Sequence, residues 1–181
     1  WLLKGNHDAL ACAPPAAPSN VLGEMTAAWT HAQLSAVQRE FLDTLPLVRR
    51  EGDAVLVHAS VDAPERWHYV RDERTAGDSL RAAEALGGEV RYVFGGHVHR
   101  QTLYYYGRGR GLLSFAPTPG AAIPVPPHRT WIATIGSVGQ PRDGRPEAMY
   151  ALFDRTAARL TFVRVDYDHV AAARAIRDAD R

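Results

Sequence analysis

Only one cysteine, Cys12, occurs in the 181 residues. No disulfide can form within the chain, so a fold stapled for an oxidising compartment is excluded and a reducing cytoplasm is the expected location. Long apolar runs are lacking as well: none approaches the about 20 residues a helix needs to cross a bilayer. No secretory leader pattern is visible either. Excess charge of one sign is also missing. With 21 Lys and Arg against 20 Asp and Glu, the net charge is +1. Binding a phosphate backbone needs a clustered basic surplus, so neither nucleic acid nor membrane is an expected partner. There is no internal repeat and no low-complexity tract.

What remains is ordinary for a globular protein, with 46% hydrophobic and 23% charged residues. The length suits one domain with a proper core, 1–181, and is too short for two. Trp1 to Lys4 reads as a strand end closed by Gly5, as if a strand were entered partway. Cys12 to Ser19, rich in Ala and Pro, reads as a loop. A helix is expected from about His31 to Thr44, with Thr30 as N-cap and Leu34, Val37, Phe41 and Leu45 on one face. Leu47–Arg50 and Ala54–His58 read as strands around a Gly52-Asp53 turn. A second helix is expected over Thr75–Leu86, stopped by Gly87-Gly88. Strand-like runs follow at Arg91–Phe94, Thr102–Tyr106, Gly111–Phe115, Thr130–Ile135, Ala148–Phe153 and Arg159–Tyr167, and Val170–Ala179 reads as a surface helix. Early alternation followed by antiparallel strands predicts a layered α/β architecture.

Three short stretches set metal-capable side chains beside small residues: Gly5-Asn6-His7-Asp8, Val57-His58-Ala59-Ser60 and Gly95-Gly96-His97-Val98-His99. Each follows an expected strand, and in α/β sheets the carboxyl ends of strands are where sites assemble. His97 and His99, two apart, would project to the same side of an extended backbone. Gly95 and Gly96 lack a Cβ and let the backbone pass close to a metal or phosphate. Imidazole nitrogen and amide oxygen suit first-row ions such as manganese, iron or zinc. Taken singly, each stretch has a plain alternative as a turn or a packed core histidine; their ordered combination is what carries information.

That order resembles the later signature blocks of the calcineurin-like metallophosphoesterases. The stretch Gly136-Ser137-Val138-Gly139-Gln140-Pro141-Arg142-Asp143-Gly144 is similar to the small bacterial and archaeal phosphodiesterase-like subgroup. The resemblance implies a four-layer β-sandwich flanked by helices, lacking its N-terminal strand-helix portion in these residues. It implies two divalent ions, manganese first, with iron, zinc or nickel as alternatives. It implies Asn6, His58 and His97 as ligands of one ion and His99 as a ligand of the other. A bridging hydroxide would be the nucleophile, His7 the general acid at the leaving group, and Asp8 an orienting neighbour in the catalytic block. The implied activity is hydrolysis of a phosphodiester or phosphomonoester, with a small phosphoester or nucleotide as substrate. Alternatives on the same fold are a dinucleoside polyphosphate hydrolase and a non-catalytic protein-interaction module, and the presence of His7 favours an enzyme.

The sequence departs from the family pattern in two places. The upstream Asp-x-His and the Gly-Asp block that supplies a bridging carboxylate do not occur ahead of Gly5, so the chain is expected to be the C-terminal portion of a longer domain and, alone, weakly active. Thr134-Ile135 stands where many relatives have Asn-Pro or Asn-Val. Arg100 and Arg142 are candidate phosphate contacts, because a guanidinium bonds phosphate in two places at once. Trp67-His68-Tyr69 is similar to the aromatic segment of family lids, for which packing is preferred over substrate contact. Tyr104-Tyr105-Tyr106 reads as strand, and His31, His128 and His169 receive no role.

Overall fold

The computed structural model describes residues 1–16, 21–107 and 111–179. A six-stranded sheet has the order β1-β2-β3-β7-β4-β5, and a three-stranded sheet the order β6-β9-β8. β1 (Val48–Glu51) and β2 (Ala54–Val57) form an antiparallel hairpin whose turn places Gly52 at φ 62. β2, β3 (Tyr92–Gly95) and β7 (Trp131–Ile135) are mutually parallel. β4 (Gln101–Gly107) runs antiparallel between β7 and β5 (Gly111–Phe115). β6 (Ala122–Pro124), β8 (Ala148–Asp154) and β9 (Arg159–Val165) make the small antiparallel sheet.

The large sheet is buried on both faces, which explains its near-continuous apolar strands. On one face Val55, Val57, Val93 and Ile132 pack against Ala76, Leu80 and Ala83 of helix α4 (Glu73–Ala85). The i, i+4, i+7 spacing of those three residues gives the helix its apolar stripe, and Asp72 caps it by accepting the Thr75 backbone N–H at 2.8 Å. On the other face Tyr92, Leu103, Trp131 and Ala133 meet Leu160 and Phe162 of the small sheet. This is the expected mixed α/β sandwich. Gln101, almost fully buried, stitches the layers together: its amide donates toward the carbonyls of Ile135, Tyr150 and Val163 at 3.2–3.4 Å.

The helical N-terminal part differs from the sequence reading. Trp1–Lys4 is not a strand. Among the described residues it has one backbone bond to the body, Lys4 N–H to the Pro46 carbonyl at 2.9 Å, and no partner strand to form a ladder. The Asn-His-Asp block is itself the first turn of a helix, α1 (Asn6–Cys12), so the expected loop begins only at Ala13; residues 17–19 of that loop lie outside the described residues. The expected helix over 31–44 is two helices, α2 (Leu22–Gln33) and α3 (Ala36–Thr44), broken at Leu34-Ser35. Thr30 lies within α2 and returns its hydroxyl to the Thr26 carbonyl at 2.8 Å. Ser35 is the cap instead, paired reciprocally with Gln38. β6 had no signal beyond its Pro-rich surroundings, whereas α5 (His169–Ala179) lies where a helix was expected. Among the described residues no helix is long and apolar enough to cross a membrane.

Candidate metal centre

The parallel strands β2, β3 and β7 end on one rim, and the segments leaving those ends carry His58, His97 and the Gly136–Pro146 loop. Gly95 is required where β3 leaves the sheet: a Cβ there would lie 2.9 Å from the Ala59 carbonyl oxygen. The Gly96 N–H then donates to the His58 carbonyl at 2.8 Å, tying the two histidine-bearing turns side by side. Asn6 arrives from another direction. Lys4 anchors the chain ahead of it by ion-pairing with Asp43 at 2.9 Å, and the Asp8 carboxylate accepts the Gly5 N–H at 2.7 Å. Gly5 abuts the His58 ring so closely that a Cβ would lie 3.0 Å from it.

The three elements bring three donor atoms together. His58 Nε2 is 3.0 Å from Asn6 Oδ1 and 3.2 Å from His97 Nδ1. Two atoms that each lie about 2.1 Å from a common ion, at tetrahedral or octahedral angles, are separated by about 3.0–3.4 Å. The cluster has that spacing. Its lone pairs outnumber the protons available between them, an arrangement that suits a cation. Burial, with His58 and His99 nearby, pushes the His97 imidazole down to about 4, while a hydrogen bond to the Trp67 backbone acts the other way. His58 is lowered by burial too, against the pull of the Asp8 carboxylate. Both imidazoles are therefore held neutral, the form that ligates.

His97 and His99 do not lie in extended backbone. Both adopt left-handed conformations, φ 63 and 55, so the segment is a tight bend and not a strand with alternating sides. Trp67 is left-handed as well, φ 55. Non-glycine residues in this region are strained, and such strain gathers at functional sites. His99 stands beside the cluster and not within it. Its Nδ1 bonds the Gln140 carbonyl at 2.6 Å, which leaves Nε2 as the free nitrogen and sets the ring's direction. Burial lowers its affinity for a proton, as do Arg142 and His7 nearby. Among the described residues no three His, Cys, Asp or Glu side chains gather at one point. The convergent set is two imidazoles and an amide oxygen, and it contains no carboxylate.

His7 is exposed at the start of α1 and lies within electrostatic reach of both His58 and His99. Asp8 acts on position, through the Gly5 N–H, and touches none of the three donors. The aromatic segment packs on the two clustered imidazoles: Tyr69 stacks on His97 with ring centroids 4.2 Å apart, and Trp67 meets His58 edge-on at 5.8 Å. His68 points to Asp62 instead, at 3.3 Å. Arg100 and Arg142 are exposed in a neighbouring cleft with Tyr69 and Val98. Thr134, at the position that departs from the family, is buried and donates its hydroxyl to the Arg100 carbonyl at 2.8 Å. The sequence reading missed Gln140 as the partner of His99 and Arg71 as a third arginine in that cleft. Gln140 lies in the quoted glycine-rich stretch but acts through its backbone carbonyl, which no residue type signals, and Arg71 lies in no quoted motif; only the folded chain brings them to the rim.

Comparison with known proteins places the arrangement. No protein-family model matches the chain. An uncharacterized protein of Methanocaldococcus jannaschii is 29% identical over 158 residues, which are 82% of this chain and 57% of that protein. The chain thus spans little more than half the length of that curated relative. A metallophosphoesterase from Sphaerobacter thermophilus superposes with a TM-score of 0.84 at 30% identity, covering 98% of this chain and 71% of that one. A hypothetical protein from Pyrococcus horikoshii shares the fold at a TM-score of 0.67 and 15% identity.

Proposed function

The chain belongs to the metallophosphoesterase family, and on that premise we propose that it hydrolyses phosphoesters at a binuclear metal centre on the shared strand rim. What carries this reading is the approach of His58 Nε2 to both Asn6 Oδ1 and His97 Nδ1. These three donors would hold one divalent ion and His99 Nε2 the second. Divalent ions supply Lewis-acid polarisation of the phosphoryl oxygens and an attacking water of lowered pKa. The chain's own residues do the rest. The Gly95-Gly96 turn lets the segments that carry His58 and His97 lie against one another, and the Gln140 carbonyl keeps the His99 ring aimed. His7, exposed and able to turn, gives a proton to the departing oxygen. Asp8 keeps the first turn of α1 closed behind it.

All four donors are neutral, and dications held by these alone are bound weakly. The test therefore uses saturating manganese. Release of p-nitrophenol from its phosphate monoester and its phosphate diester is measured beside manganese binding, for the native chain and for His97→Ala and His7→Ala. His97→Ala should lose both metal and turnover, whereas His7→Ala should keep metal and, because p-nitrophenol departs without a proton, lose only part of its turnover on these substrates. Manganese binding to His97→Ala as tight as to the native chain would remove the centre from this rim.

A further inference from the structure

Beside the donor cluster a cleft of about 490 Å³ opens between the aromatic segment and the start of β4, walled in part by Tyr69, Arg71, Val98, Arg100, Thr102 and Arg142. Tyr69 is the ring stacked on His97, and Val98 is the residue between the two histidines of the bend, so cleft and cluster share a wall. No Asp or Glu lines this cleft. Glu73 and Asp72 stand outside its wall: Glu73 accepts the hydroxyl of the lining Ser114 at 2.5 Å, and Asp72 caps α4 by accepting the Thr75 N–H at 2.8 Å. The three arginines make no ion pair among the described residues; Arg142 donates only to the Gln140 side-chain oxygen at 3.2 Å.

Six arginines elsewhere are arranged differently. Arg74, Arg81, Arg91, Arg145, Arg155 and Arg164 each face a carboxylate. The cleft on the opposite side of the aromatic segment, of about 500 Å³, shares Tyr69 and Arg71 with this one and has Arg66 and Arg74 besides, but Asp62 and Asp78 stand among them. Unopposed positive charge is thus gathered on the side that adjoins the donor cluster. A guanidinium keeps its charge at any working pH and offers a planar fork of donors that fits phosphate oxygens in pairs. A carboxylate would occupy one such fork. Three forks match a doubly charged phosphoryl group with three acceptor oxygens.

We propose that Arg71, Arg100 and Arg142 form a subsite for a second phosphoryl group, so that the preferred substrates carry a diphosphate or longer polyphosphate chain with one phosphorus at the rim and the next in the cleft. This rests on the hydrolase reading above for the identity of the rim, but the subsite itself is a property of the arginines. Titration calorimetry on the metal-free full chain, with inorganic pyrophosphate and inorganic phosphate as probes, tests it. Both probes should bind, and Arg71→Gln, Arg100→Gln and Arg142→Gln should each weaken pyrophosphate binding by about 10-fold, the loss expected for one hydrogen bond to a charged group. Arg66→Gln, in the opposite cleft, should leave it unchanged, and raised salt should weaken it. Failure of both probes to bind at low salt, or affinities that ignore all three substitutions, would overturn the subsite. His97→Ala separates the two readings: it should remove manganese binding and leave pyrophosphate affinity intact. If the native chain takes up no manganese while the arginine dependence holds, the metal centre falls and the anion subsite stands.

Discussion

His58 Nε2 lies 3.2 Å from His97 Nδ1, although 39 residues separate the two in the chain. The contact exists because β2 and β3 are parallel neighbours in register, so that both histidines leave the sheet at the same end. With Asn6 Oδ1 at 3.0 Å, it is the relationship on which the functional reading turns.

Truncating either ring should therefore act on metal before it acts on fold. His58→Ala and His97→Ala are expected to weaken manganese binding by more than about 10-fold, since even loss of a residue that only supports a ligand costs 10–100-fold. Gln140→Ala keeps the carbonyl that His99 uses and should change little. Metal content after gel filtration, with calorimetry, checks all three.

His7 is predicted to act in turnover alone. His7→Gln should lower kcat by about 10²–10⁴-fold, the range of positioned acid catalysis, with manganese affinity unchanged. The loss should shrink for esters with good leaving groups such as p-nitrophenol, which depart without a proton. An equal loss on good and poor leaving groups would assign His7 another task.

Gly95 is expected to be intolerant for steric reasons. In Gly95→Ala the new methyl lies 2.9 Å from a backbone oxygen, that of Ala59, and backbone yields less readily than a side chain. A destabilisation of about 1–3 kcal/mol is expected, as for overpacking of a tight site. Gly139→Ala meets nothing within 4 Å and serves as the neutral control. Thermal unfolding of the two variants side by side provides the comparison.

The Gly136–Pro146 loop is pinned to the small sheet by the Arg164–Asp143 ion pair, whose side chains are mostly buried. The hydrogen bond from Arg164, and then its charge, hold the Asp143 carboxyl below its ordinary range, against the opposing effect of burial. A carboxylate with a depressed folded-state pKa contributes stability that is fully present above its unfolded value, about 3.9, and is lost as pH falls through the folded value. Asp143→Asn should therefore lower stability at neutral pH and flatten the acid limb of the stability profile. Urea unfolding between pH 3 and pH 7 measures both effects; an unchanged acid limb would show that other carboxylates govern it.

Local chemistry already marked much of this molecule. The Gly87-Gly88 stop placed the end of α4 to within one residue, because a stop depends on immediate neighbours, whereas the start expected at Thr75 lies two residues inside the helix that the Asp72 cap opens. The three donor stretches, two of them led by glycine, announced themselves in the same way, as did the family to which they belong. The break at Leu34-Ser35 was hidden because the apolar spacing runs on through it, while the Ser35–Gln38 cap that starts a new helix competes with that spacing. Trp1–Lys4 shows the converse, an apolar run with strand character that has no neighbouring strand to pair with.

Residue types by themselves marked three stretches of metal-capable side chains, and the resemblance those stretches carry implied Asn6, His58, His97 and His99 as ion ligands and His7 as proton donor. Tertiary structure alone decided that His97 and His99 bend through left-handed backbone instead of alternating along a strand, that Gln140 aims His99, and that Arg71 faces the same cleft as Arg100 and Arg142. The physical reason is one of range. Propensity, capping and periodicity act over a few residues, whereas the register of β2, β3 and β7, and all that meets at their ends, is chosen by burial of both faces of the sheet at once.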